Sequence, residues 1–159
     1  MPRLIILVGL PASGKSTWRS RFLESVDDPS DWITISSDDI IEEECAKAGC
    51  TYREGFERFT GYAQGEMKRR ARQAANKGMN VIWDQTNMTV KSRKGKLKTF
   101  GDAYTAEAVV FSVPDTVLNE RLNSRPGKEI PKHVLDGMAR SYVAPTKAEG
   151  FSKISYVRD

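Results

Sequence analysis

Five apolar runs punctuate the chain, separated by longer stretches in which apolar residues recur every three or four positions. The runs RLIILVG (3–9), DWITIS (31–36), MNVIWD (79–84), AEAVVFSV (106–113) and KISYV (153–157) predict strands. Segments 15–26, 38–49, 53–77, 88–101, 114–123 and 131–141 predict helices. Within 53–77, Phe56, Phe59, Ala63, Met67, Ala71 and Ala74 define one helical face. The tetrapeptide DQTN (84–87) and the pair Pro114 and Asp115 supply helix-start chemistry. Strands that are apolar throughout and alternate with helices imply a parallel sheet covered on both faces. No repeat, low-complexity stretch or linker divides residues 1–159, so the expected architecture is one α/β domain.

Composition adds boundaries to this picture. The chain has 159 residues, 39% apolar and 29% charged, enough for one sizeable core. No apolar run approaches the ~20 residues of a membrane span. The N-terminus enters a strand directly, with Arg3 alone ahead of a short apolar stretch, so no signal peptide and a cytoplasmic location are expected. Cys45 and Cys50 have no His or second Cys pair beside them and read as free thiols.

Charge is uneven around a net +4. Residues 22–46 hold nine acids and no Lys or Arg, while residues 67–98 hold ten bases against Asp84 alone. Such blocks are either solvated helix faces or, for the basic one, a surface that attracts a polyanion.

The chemistry gathers at strand ends. GLPASGKS (9–16) fits G-x-x-x-x-G-K-[ST], follows an apolar strand and opens a helix. Gly9, Pro11, Ala12, Ser13 and Gly14, with Lys15, Ser16 and Thr17, form the candidate nucleotide-binding segment. Its glycines let backbone N–H groups close around phosphate at a helix N-terminus. Lys15 would reach the β- and γ-phosphates of ATP and Ser16 would ligate Mg²⁺. In a parallel sheet the ligand lies beyond the carboxyl ends of the strands. There the second strand delivers Asp38 and Asp39 and the third delivers Asp84. A carboxylate at that edge orients Mg²⁺ or accepts a proton from an attacking hydroxyl; alternatively Asp38 or Asp39 caps the following helix. Arg121 and Arg125, four apart in RLNSRPGKEIP (121–131), share a face if the helix runs that far. Pro126 and Gly127 then break it, and arginines on such a break can close over a nucleotide. A solvated helix end is the alternative. His133 reads as surface. Trp18, Trp32 and Trp83 read as packing, with Trp83 also placed to stack on a base.

Together these elements resemble the polynucleotide 5′-hydroxyl kinases, a P-loop kinase group that includes the phage enzymes and the kinase domain of eukaryotic polynucleotide kinase-phosphatase. The resemblance rests on GLPASGKSTW (9–18), ISSDD (35–39), DQTN, RLNSRPGKEIP and the tail APTKAEGFSKISYV (144–157), in family order along nearly the whole chain. DQTN and the tail are also similar to the kinase-like domain of the nuclear scaffold ribonucleoprotein U. The resemblance implies a five-stranded P-loop kinase fold with a lid at about 121–131. It implies Lys15 and Ser16 on ATP and Mg²⁺, with Thr17 supporting the loop. Asp38 becomes the general base, Arg125 the lid arginine on the donor phosphates, Arg121 a weaker match, and Asp84 a metal-side positioning group. The phage-type pattern has arginines where this sequence has Ser37 and Ile41. That removes two acceptor-side contacts, which the basic segment 67–98 could replace. No phosphatase domain follows the last strand, so the expectation is healing of the 5′ end alone, with a separate ligase or phosphatase alongside.

Three readings follow. The first is ATP-dependent phosphorylation of 5′-hydroxyl ends of DNA or RNA. The second keeps the kinase and changes the acceptor to a sugar, nucleoside or antibiotic alcohol. The third is a nucleotide-dependent nucleic-acid-binding module without transfer.

Overall fold

The computed structural model describes residues 1–125 and 127–158. Pro126, half of the expected helix break, lies outside the described residues. Five parallel strands, β1 (Arg3–Val8), β2 (Trp32–Ile35), β3 (Asn80–Asp84), β4 (Thr105–Ser112) and β5 (Lys153–Arg158), form one sheet in the order β2-β3-β1-β4-β5. Strand β1 lies between β3 and β4, with Leu7 opposite both Asp84 and Val109. The helices are α1 (Lys15–Ser25), α2 (Ser37–Ala48), α3 (Tyr52–Lys77), α4 (Val90–Phe100), α5 (Asp115–Asn123) and α6 (Lys132–Ser141).

Alternation along β1 explains the two layers. Leu4, Ile6 and Val8 point to one face, where they pack with Trp83, Ile41, Met67, Ala71 and Phe100. Ile5 and Leu7 point to the other, against Ile82, Val109 and Phe111, with Trp18, Phe22 and Trp32 closing over them. Trp18 stacks on Phe22 at 5.0 Å, and Phe22 meets Trp32 edge-on at 4.9 Å. Complete burial of a Leu or Ile contributes about 1.5–3 kcal/mol, so β1 is the firmest strand and the loop after it starts from a fixed point.

Helix starts differ in detail from the sequence expectation. Helix α2 is capped by Ser36, whose Oγ accepts from the Asp39 N–H at 3.3 Å. Neither Asp38 nor Asp39 is therefore the cap, and both carboxylates serve other partners. Helix α4 is capped by Thr89 in a reciprocal box with Ser92, not by the DQTN residues. Helix α5 ends at Asn123, so Arg125 lies beyond the helix that carries Arg121.

Helices α2 and α3 pack closely at Gly55. A Cβ there would fall 1.9 Å from Cys45 Sγ and 3.5 Å from Ile41 Cγ2. Gly55→Ala is expected to lower stability by about 1–3 kcal/mol through overpacking. Gly61, exposed on the same helix with open space around it, gives the opposite sign: Gly61→Ala should add up to about 1 kcal/mol. Urea unfolding of the two variants checks both.

Candidate active site

The loop after β1 turns back on itself through Ala12 (φ 64°) and Gly14 (φ 100°) before α1 begins. Gly14 stands at the N-cap without a side-chain cap, so first-turn N–H groups of α1 are left for a ligand. Lys15 is buried, and its Nζ donates to the carbonyls of Gly9 (2.7 Å) and Leu10 (2.8 Å). Burial pushes its pKa down to about 8, against the pull of Asp84 and Asp38. Ser16 and Thr17 follow, exposed at the helix start. Ser13 Oγ, inside the loop, is buried without a hydrogen-bond partner.

Three carboxylates face this loop, each held differently. Asp38 is exposed in the first turn of α2, and its Oδ1 accepts from the Tyr52 hydroxyl at 2.5 Å. Burial and that hydrogen bond raise the Tyr52 pKa, so the phenol keeps its proton and stays a donor. Asp39 and Asp84 share one cation: Arg19 Nη1 lies 3.2 Å from Asp39 Oδ2 and 2.9 Å from Asp84 Oδ2. Ser16 Oγ is 3.5 Å from the same Asp84 oxygen. Burial raises the Asp84 pKa, with Arg19 and Lys15 opposing. Neither Arg19 nor Tyr52 is singled out by sequence motifs. Arg19 sits one helical turn after Ser16, a spacing that could have flagged it. Tyr52 has no local signal.

The end of α5 and the described residues after it close the other side. Arg121 Nη1 donates to the Ala12 carbonyl at 3.2 Å. Arg125 Nη1 is buried and lacks a hydrogen-bond partner, and its charge is near enough to Lys15 to depress the lysine further. Lys128 pairs with Glu42 and lies over the Tyr52 ring at 4.6 Å; Arg53 pairs with Glu129 at 3.4 Å. These elements enclose a cleft of about 1460 Å³ whose lining includes Lys15, Ser16, Asp38, Asp84, Arg121 and Arg125.

Behind the cleft, DQTN is a fastening. Gly9 N donates to the Thr86 carbonyl at 3.0 Å. Asn87, at φ 48°, donates from Nδ2 to the Leu7 carbonyl at 2.7 Å and accepts at Oδ1 from Lys96. Its own carbonyl accepts from Arg93 Nη1 at 2.9 Å. Arg93 is fully buried, and Glu149 in the tail receives its Nε and Nη2 at 2.9 and 3.2 Å.

This network gives several bases of the basic segment partners inside the fold. Arg93 is internal, Lys96 is pushed down to about 8 by burial, and Arg69 and Arg70 pair with Glu66. None of the ten bases of 67–98 is among the cleft-lining residues. Trp83 is buried edge-on to Phe100, with Nε1 on Gln85, and offers no face to a base. His133 is exposed, as expected.

The residues fit a nucleoside triphosphate. A buried unpartnered guanidinium nitrogen, a buried unpartnered hydroxyl and an uncapped helix start converge on one cleft. For a divalent cation the donors are the hard oxygens of Ser16 and Asp84. Arg19 already engages the Asp84 oxygen, so the metal would share that carboxylate.

A family model described as an AAA domain matches residues 4–145. The transcription factor bHLH140 of Arabidopsis thaliana is 27% identical over 159 residues, 96% of this chain and 16% of that protein. The L-seryl-tRNA(Sec) kinase of Methanococcus maripaludis is 25% identical over 142 residues, 89% of this chain and 53% of that one. The chain thus spans about half or less of the curated relatives it matches. A candidate kinase from Chloroflexus aurantiacus superposes with a TM-score of 0.74 at 22% identity, over 99% of this chain and 85% of that one, a likeness of fold. A chain of the Pnkp1/Rnl/Hen1 RNA repair complex gives 0.67 at 25%, over 88% and 43%.

The lowered lysine sets a pH signature. Near pH 8 about half of Lys15 is neutral in the ligand-free protein, and phosphate restores its proton. The lysine's share of the proton uptake on nucleotide binding should be about half a proton at pH 8 and almost none at pH 6.5. Net uptake, measured by calorimetry in buffers of different ionisation enthalpy, should therefore increase from pH 6.5 to pH 8. Without nucleotide the sign for stability is the reverse of an ion pair. The unfolded lysine holds more protons between about 8 and its ordinary 10.5, so this contribution rises with pH across that window.

Proposed function

The chain belongs to the AAA-domain family and is a P-loop kinase-type domain, and from that premise we propose that it transfers the γ-phosphate of ATP to the 5′-hydroxyl end of a nucleic acid. One observation carries the reading. The Asp38 carboxylate, oriented by Tyr52, opens on the same cleft as buried Lys15 and the unpartnered Arg125 nitrogen, so a proton acceptor faces a phosphate cradle. Two similar proteins are tied to RNA by name: one for a seryl-tRNA, whose alcohol is the seryl group, and the other as part of an RNA repair complex.

In this mechanism the acceptor oxygen attacks the γ-phosphorus in line, and Asp38 takes its proton as the O–P bond forms. The bond to the β-phosphate oxygen breaks and ADP leaves. Lys15 and Arg125 hold the phosphate oxygens as charge spreads over them. Gly9, Pro11, Ala12, Ser13 and Gly14 wrap the phosphates, and Arg121 braces the loop through Ala12. Ser16, with Asp84 behind it, would hold Mg²⁺, which would supply neutralisation of the phosphate charge. A separate ligase or phosphatase would complete end repair.

One observation favours a small alcohol as acceptor. The position of the missing second arginine, Ile41, is buried in the core, Ser37 accepts from Gln85, and the acceptor side carries Glu42, Glu57 and Glu129. Arg53 and Lys128 beside them are already paired with Glu129 and Glu42, which leaves this side little net positive charge.

Labelled ATP with Mg²⁺ and matched 5′-hydroxyl and 5′-phosphate strands of DNA and RNA tests the choice. Label confined to 5′-hydroxyl strands is the expected result; label on sugars or nucleosides alone moves the reading to the small alcohol. Asp38→Asn should cut transfer about 10²–10⁴-fold with ADP affinity retained. Full activity in that variant would remove the assigned base.

A further inference from the structure

Periodicity puts Phe56 on the core face of α3, and the structure takes it off. The buried stripe runs through Gly55, Ala63, Met67, Ala71 and Ala74, while Phe56 is 51% exposed and lines the cleft. The close approach of α2 at Gly55 leaves no room for a side chain on that line, so the next residue carries the ring outward.

A single exposed aromatic is unremarkable on a surface, but this one shares its cleft with other apolar side chains. Ile130, Val134 and Met138 line the same cleft. The last two belong to α6, in which no residue is buried. Tyr52, one helical turn before Phe56, connects the ring to the chemistry. Its ring centre is 6.2 Å from that of Phe56, and its hydroxyl holds Asp38 at 2.5 Å. The cations on this side, Arg53 and Lys128, are each paired with a glutamate.

An acceptor that presents a hydroxyl to Asp38 therefore has an exposed aromatic ring one helical turn from Tyr52, beside two cations that are already paired. We propose that Phe56 is the stacking platform for the terminal base of the acceptor strand, so that base stacking supplies affinity which arginine contacts at positions 37 and 41 do not. This rests on the polynucleotide reading above. The chemistry suits it: every base has a π-face, so the contact is strong and tolerant of sequence. Phe56 is an acceptor-binding residue, with no part in proton transfer.

The test is steady-state kinetics of the full chain with 5′-hydroxyl oligonucleotides that end in a normal nucleotide or in an abasic one. Phe56→Ala should raise KM for the normal acceptor about 5- to 100-fold, the range of one lost base stack, with a much smaller change in kcat. Phe56→Trp should hold KM near the parent value. The abasic acceptor should bind the parent poorly and respond little to either substitution. An unchanged KM in Phe56→Ala, or an equal loss on the abasic strand, overturns the platform while leaving the kinase reading intact. If the parent labels no strand and does label small alcohols, the polynucleotide reading fails first and the platform falls with it.

Discussion

The loop after β1 is fastened to the loop after β3, and the cleft's geometry depends on that join. Gly9 N donates to the Thr86 carbonyl, and Asn87 reaches the Leu7 carbonyl from the other side. These bonds set where the phosphate loop leaves the sheet, and with it the positions of Lys15 and Ser16. Asn87 adopts a left-handed backbone, tolerable for asparagine, and its side-chain amide and its own carbonyl all have partners. The Arg93–Glu149 pair behind it is costly to break, because removing one member leaves a buried charge, at a typical cost of 3–5 kcal/mol. The tail therefore supports the site from a distance of many residues.

Around this join, charge is distributed by depth. Lys15, Arg93 and Lys96 are largely buried, and each is satisfied by carbonyls, a carboxylate or an amide oxygen. Arg19 lies between Asp39 and Asp84 and compensates two converging carboxylates. Asp38 is left to Tyr52, a neutral donor that orients a carboxylate without neutralising it. Two acids of the same first helical turn are thus given different surroundings, one paired with a cation and one open to the cleft. Of the basic block of 67–98, Arg69, Arg70, Arg93 and Lys96 have partners within the fold, and none of its ten bases lines the cleft. An inventory of charge by segment is a poor guide to where a polyanion would lie.

Much of the fold and part of the site were legible in the sequence, because the signals involved are local. Apolar runs of four to eight residues gave the five strands, and three-to-four spacing gave the helices, each close to its observed bounds. The phosphate loop was legible because its spacing reports a backbone conformation. Asp38 and Asp84 could be placed at one edge because parallel strands deliver their carboxyl ends to the same side.

Other features were decided by contacts between distant residues. Ser36 takes the cap that Asp38 or Asp39 could have taken, a choice among neighbouring side chains that composition does not resolve. Tyr52 meets Asp38 only because α3 crosses α2 closely at Gly55, and that same crossing turns Phe56 out of the core. Arg93 looks like one more surface base until α4 packs beneath the tail and Glu149 closes over it. The sequence by itself determined which elements form and which edge of the sheet carries the chemistry, since both follow from local periodicity and strand direction. The tertiary structure alone decided which partner each charged or aromatic side chain finds, because helix packing sets those distances and one residue of rotation about a helix axis changes them.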